Sequence, residues 1–195
     1  LKGLEQDYDS IVVATAEAQT GLVGKSILQI AANQGVSPQE ALLNILAACK
    51  THVIVFDRNL SEDQMETLAF SPLSLILTDG AGYSKISNYL VHPRCFGTMP
   101  KFLKLVRERK MLSWEQAIKK LTSEPAQLLG VNNRGTLKIG QQADVVVFDP
   151  LSINDKADYS NPYQYPQGLD AVLVNGKLAL LDNKVQSLSG EVIAR

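Results

Sequence analysis

Cysteine and histidine are scarce, with two of each in 195 residues. Cys49 and Cys95 stand at no metal-like spacing, and so sparse a pair fits a reducing compartment, the cytoplasm, better than a disulfide framework. His52 and His92 form neither an H-x-H nor an H-E-x-x-H pair, so no metal site is legible in this sequence. Cys49 and His52 have a suggestive spacing, but they fall where a helix end runs into a strand, and two ligands do not complete a zinc site. Excess charge is also lacking. A formal net charge of −1 leaves no basic footprint for nucleic acid or an anionic membrane surface. No apolar run approaches the length of a membrane span, and no cleavable signal is read ahead of the first strand. No early strand is followed by a glycine-rich phosphate loop, which excludes a βαβ nucleotide-binding unit. The sequence begins Leu1-Lys2-Gly3 rather than with methionine.

What is present is enough apolar material for a core: 45% of the residues are hydrophobic, in a chain long enough to bury them. Residues 9–15 read as a first strand, β-branched and apolar after a polar lead-in. Residues 26–34 read as a short amphipathic helix closed by Gly35. Ser37-Pro38-Gln39-Glu40 opens a helix over 38–49, with serine as cap and proline at the first helical position. Ala41, Leu42, Ile45, Leu46 and Cys49 share its apolar stripe, which makes Cys49 a small core residue. Residues 53–56 read as a buried strand, and an acidic first turn opens a helix from about Asn59 to Ala69. Strand, helix, strand at this spacing predicts a βα unit of a parallel sheet, the second strand being Leu75-Ile76-Leu77.

That last strand leads into the stretch of greatest chemical interest, residues 74–100. It ends on Thr78-Asp79-Gly80, where Asp79 is either a turn aspartate or an ionisable group at the catalytic end of a barrel strand. The loop beyond carries Tyr83, His92 and Arg94. A basic amphipathic helix is expected over 99–110, with Phe102, Leu103 and Val106 inward and a solvated face of Lys101, Lys104, Arg107 and Arg109. Ser113-Trp114-Glu115-Gln116 caps another helix running to Leu121, and residues 123–130 form one more ending at Gly130. The texture then becomes β. Residues 135–140 and 143–149 read as strands, and 171–181 as a hairpin with Asn175-Gly176 at its centre. Residues 154–168, polar with three tyrosines and two prolines, read as a long ordered loop.

Taken together, the motifs are specific. Asp79-Gly80, the HPRxxGT run from His92 to Thr98, Thr122-Ser123-Glu124-Pro125-Ala126, and Arg134-Gly135 through the ADVVVFDP run ending at Pro150 resemble the N-acyl-D-amino-acid deacylases (D-aminoacylases) of the amidohydrolase superfamily. Tyr165-Pro166-Gln167-Gly168 and the run from Val172 to Lys177 extend the resemblance over most of the chain. It implies an α/β fold: residues 1–130 as the C-terminal part of a metal-dependent (β/α)8 TIM barrel, including an inserted helical segment, and residues 131–195 as part of a small β-sandwich. Asp144 and Asp149 are then structural.

The resemblance also implies a chemistry, hydrolysis of the linear amide of an N-acyl-D-amino acid by metal-activated water. Asp79 takes the place of the general acid/base, and Arg94 is the candidate for the substrate α-carboxylate, since a guanidinium can bind both oxygens. His92 is a loop organiser or substrate contact and Tyr83 a candidate contact. Zinc is expected in the full-length protein, on a cysteine and two histidines upstream of this chain, which would be inactive alone. Where the family often carries serine in the first segment, this sequence has Ala14-Thr15. Two alternatives stand beside this reading: a cyclic-amide hydrolase of the dihydroorotase or hydantoinase kind, against which HPRxxGT discriminates, and a non-catalytic assembly remnant. A part-barrel exposes strand edges, so self-association is expected.

Overall fold

A computed structural model describes residues 6–83 and 89–193. Its first part is a two-stranded antiparallel ribbon, β1 (Val12–Ala16) against β2 (Val53–Phe56), with α1 (Ile27–Gln34) and α2 (Pro38–Ala48) between them in sequence. Both helices start where the sequence places them. Ser26 and Gln29 form a reciprocal capping box, while Ser37 accepts from the Glu40 N–H behind Pro38 at the first helical turn. Their apolar stripes meet β1 in one core of Ile11, Val13, Ala16, Ile27, Ile30, Ala31, Ala41, Ile45 and Cys49. Each fully buried isoleucine there contributes about 1.5–3 kcal/mol. Cys49 is a core residue, as its position on the stripe requires.

A second core gathers α3 (Glu62–Phe70), α4 (Arg94–Arg109) and α5 (Trp114–Leu121) around Phe70, Phe102, Leu105, Val106 and Ala117. Ser61 and Ser113 cap α3 and α5 through further capping boxes. One buried cation belongs to this region. Lys120 donates to the Ser71 carbonyl at 2.7 Å, and also to the carbonyl and hydroxyl of Ser74, so α5 grips the turn after α3. The short helix α6 (Ser123–Leu128) follows.

The last part is an antiparallel meander of β3 (Val145–Phe148), β4 (Leu169–Val174), β5 (Lys177–Leu181) and β6 (Lys184–Val185). Asn175 and Gly176 both have positive φ (50° and 75°), the geometry of a tight hairpin turn. Arg134 binds the Asp144 carboxylate and donates to Asn175 Oδ1 at 2.7 Å, while Asp144 accepts the Asn175 N–H at 2.8 Å. The arginine and aspartate of the tail motif therefore lock the hairpin turn. Asp149 accepts from the Leu151 N–H and the Ser152 hydroxyl. Both aspartates are structural.

Four expectations need correction. Residues 75–77 do not form a strand, and Leu77 is exposed. No described strand flanks them, and an isolated parallel strand has nowhere to send its backbone hydrogen bonds. β2 pairs antiparallel with β1 instead of opening a parallel unit, and its Ile54 and Val55 are exposed. Residues 135–140 are irregular, with Leu137 and Ile139 exposed. Finally, α4 begins at Arg94 rather than Met99 and carries Pro100 inside its second turn, where the ring removes one helical hydrogen bond and crowds the Phe96 carbonyl.

Candidate active site

The first turn of α4 collects the residues that the sequence singles out. Asp79 reaches it from a segment without regular structure. Its backbone is left-handed (φ 43°), a conformation that aspartate tolerates better than most residues. The neighbouring Gly80 lies so close to α4 that a Cβ there would sit 3.0 Å from Cys95 Cα. This contact brings the Asp79 carboxylate to 2.9 Å from the Arg94 guanidinium. The candidate acid/base and the candidate carboxylate clamp, read from the sequence as separate agents, are an ion pair. Their side chains are 84% and 43% exposed, so Asp79 is not the buried end of a strand.

His92 is held on every side. Its Nδ1 accepts the Arg94 backbone N–H at 3.1 Å, and its Nε2 lies 3.1 Å from the Tyr159 hydroxyl. Phe56, the last residue of β2, and Tyr159 meet the ring edge-on at centroid distances of 5.9 and 5.1 Å. Burial, helped by the Arg94 charge, holds its pKa below the ordinary histidine value, against the opposing pull of Asp79. His92 thus accepts the first N–H of α4 and anchors the start of that helix. Tyr83 is exposed and makes no hydrogen bond or ring contact with Asp79, His92 or Arg94 among the described residues, and residues 84–88 of its loop lie outside them.

Two supports were not legible in the sequence. The register of the β1–β2 ribbon shifts between Val13 and Thr15, and the Ala14 carbonyl there accepts the Leu90 N–H at 2.9 Å. That bond ties the loop ahead of His92 to the first core. The segment 151–165 then holds α4 along its length. Arg107 donates to the Leu151 and Ile153 carbonyls, Asp155 lies 3.8 Å from Lys104, and Phe96 meets Tyr163 and Tyr165 edge-on. The three tyrosines of that stretch were the available signal. Gly168, at its end, has φ 76°, and a Cβ there would fall 2.6 Å from the Ile153 nitrogen.

The donor set does not fit zinc. Among the described residues no three of histidine, cysteine, aspartate and glutamate come together. Both ring nitrogens of His92 are engaged and Cys49 is buried in an apolar core. The hollow of about 480 Å³ beside Val106, Leu112 and Trp114 lies at the other end of α4, and the Asp79–Arg94 pair faces solvent. What the arrangement offers is a carboxylate and a guanidinium side by side on a fixed helix start. Among the described residues, no helix is long and apolar enough to cross a membrane.

Residues 18–179 match the Amidohydrolase family, and the chain belongs to that family. It is 32% identical over 155 residues to the N-acyl-D-aspartate deacylase of Alcaligenes xylosoxydans xylosoxydans, a match covering 79% of this chain and 29% of that protein. The fold is similar to that of the N-acyl-D-glutamate deacylase of Bordetella bronchiseptica, solved with zinc and a phosphonate mimic of the tetrahedral intermediate. That likeness has a TM-score of 0.75 at 28% identity, covering 91% of this chain and 36% of that one. A dihydroorotase from Lactobacillus gasseri is 44% identical, but over 62 residues, 31% of this chain and 15% of that one. The resemblance read from the motifs is therefore borne out, over a chain that spans about a third of its relatives' length.

Proposed function

We propose that the protein carrying this chain removes the acyl group from N-acyl-D-amino acids, hydrolysing a linear amide, and that this chain supplies its acid/base and its carboxylate clamp. The observation that carries the reading is the 2.9 Å approach of Asp79 to Arg94 on the HPRxxGT helix start, in a chain similar to deacylases over four-fifths of its length. An exposed pair of this kind contributes about 0–1 kcal/mol, so a substrate α-carboxylate can take over the guanidinium at little cost. Asp79 is then released beside the amide, where it accepts a proton from the attacking water and returns it to the leaving nitrogen.

Zinc belongs to this reading as a cofactor of the whole protein, in which it supplies a polarising Lewis acid. The described residues of this chain offer it no ligand set, so its ligands lie elsewhere and the chain alone is inactive. In the same reading residues 1–130 are the C-terminal part of a TIM barrel with an inserted segment, 131–195 are a share of a β-sandwich, and the protein is cytoplasmic. The irregular 75–77 then becomes a barrel strand once neighbours flank it. Tyr83 and His92 border the substrate.

The cyclic-amide alternative has less support, since the dihydroorotase match covers under a third of the chain. The test is a rate panel on the zinc-loaded complete protein with N-acetyl-D-amino acids, their L enantiomers and dihydroorotate. Hydrolysis confined to the D series supports the proposal. Turnover of dihydroorotate alone refutes it, and so does no turnover of any substrate.

A further inference from the structure

Four helices start with a serine cap: Ser26, Ser37, Ser61 and Ser113 accept from the N–H three residues on. The helix that carries Arg94 differs. Its N-terminal residue, Pro93, makes no side-chain cap, and the His92 ring accepts the Arg94 N–H instead. That bond assigns the tautomer. An N–H can be donated only to a nitrogen with a free lone pair, so Nδ1 is unprotonated and the proton of the neutral ring sits on Nε2. Nε2–H then faces the Tyr159 oxygen, which accepts it.

We propose that Tyr159 is a positioning residue for the deacylase site: by accepting the His92 Nε2–H it fixes the ring whose Nδ1 caps α4, and so fixes the Arg94 guanidinium. The inference rests on Arg94 binding the substrate carboxylate, as proposed above. Among the described residues the Tyr159 side chain makes a hydrogen bond and a ring contact with His92 and a ring contact with Phe56, with no hydrogen bond to Asp79 or Arg94. It acts through His92. Phe56 closes the triangle, 5.2 Å from Tyr159 and 5.9 Å from His92, so the ring has one orientation. Three charged groups bear on His92: Arg94 and Lys101 from α4, and Asp79 from the facing segment. A proton added at Nδ1 would destroy the cap and place a cation beside both Arg94 and the positive end of a helix.

The spectroscopic test uses this chain, whose two histidines, His52 and His92, make its imidazole spectrum simple to assign. The expected signature is an Nε2–H tautomer for His92 with a slowly exchanging imidazole proton, and Tyr159→Phe loses the slow exchange. An Nδ1–H tautomer, or an unchanged proton in Tyr159→Phe, overturns the proposal. The kinetic arm uses the complete protein. Tyr159→Phe raises KM for the N-acyl-D-amino acid about tenfold with kcat within about twofold, as expected for a misplaced binding group. His92→Leu, which removes both the acceptor for the Arg94 N–H and the donor to Tyr159, raises KM at least as far. An unchanged KM in Tyr159→Phe overturns the positioning role. If the parental protein hydrolyses no such substrate, the deacylase reading fails while the spectroscopic arm still decides whether Tyr159 fixes His92.

Discussion

Asp79 and Arg94 show how little energy a functional pair needs to contribute in isolation. With both side chains substantially exposed, replacing Asp79 by asparagine should change the unfolding free energy by less than about 1 kcal/mol, as read from a urea melt. Lys120 is the contrasting case: it is 5% exposed and its charge rests on the oxygens of Ser71 and Ser74. Lys120→Ala leaves those oxygens without their charged donor and should cost about 2–3 kcal/mol. A loss under half that size would show that the lysine is ornamental. His92 gives a pH signature. Its folded pKa is lowered, so below the ordinary histidine value of about 6.5 the unfolded chain binds a proton more readily than the folded one. Stability should therefore fall as the pH drops from about 6.5 through the depressed folded value, then level off. His92→Gln should flatten that slope, and a slope that survives would assign it to another group.

At the scale of elements, the helices were the legible part. The Ser37 and Ser113 caps mark helix starts that the structure reproduces, because capping and apolar periodicity are local. The hairpin at Asn175-Gly176 is legible for the same reason, whereas the second tight turn, at Asp182-Asn183, has positive φ at both residues without a glycine to mark it. Two strands of the first half form where the sequence places them, but their pairing differs, because an apolar run states what wants burial without stating what will lie beside it. Leu75-Ile76-Leu77 has the composition of a central strand but no described strand beside it, and only Ile76 among them packs against the second core. The site was half legible. Asp79, His92 and Arg94 could be named from their motifs, but Tyr159, Phe56 and the Ala14 carbonyl approach from distant parts of the chain and depend on tertiary packing. Gly80 links the two scales. Gly80→Ala should push the Asp79 segment off α4, since the new Cβ would sit 3.0 Å from Cys95 Cα. Loss of hydrolysis with the fold intact by circular dichroism is expected. Parental activity would show that the segment moves freely.

The whole chain exposes 13082 Å², whereas a compact folded monomer of 21.3 kDa would expose roughly 9,100 Å². The difference, about 4,000 Å² on that scaling, includes apolar ground: Ile54 and Val55 on β2, Leu77 ahead of the site, and Val146 and Val147 on β3. Surface of that kind is rarely left to solvent. We therefore predict that the isolated chain self-associates, with light scattering giving at least twice its monomer mass; a strictly monomeric species would oppose this. In the proposed complete protein the same surface is where the rest of the barrel and of the sandwich would pack. The most direct measurement is hydrolysis of an N-acetyl-D-amino acid by the zinc-loaded complete protein beside its Asp79→Asn variant. A fall in kcat of about 10²–10⁴-fold, with zinc content and substrate affinity retained, is what a general acid/base at Asp79 requires. A variant that turns over at the parental rate would contradict that assignment and leave Asp79 as no more than a partner for Arg94.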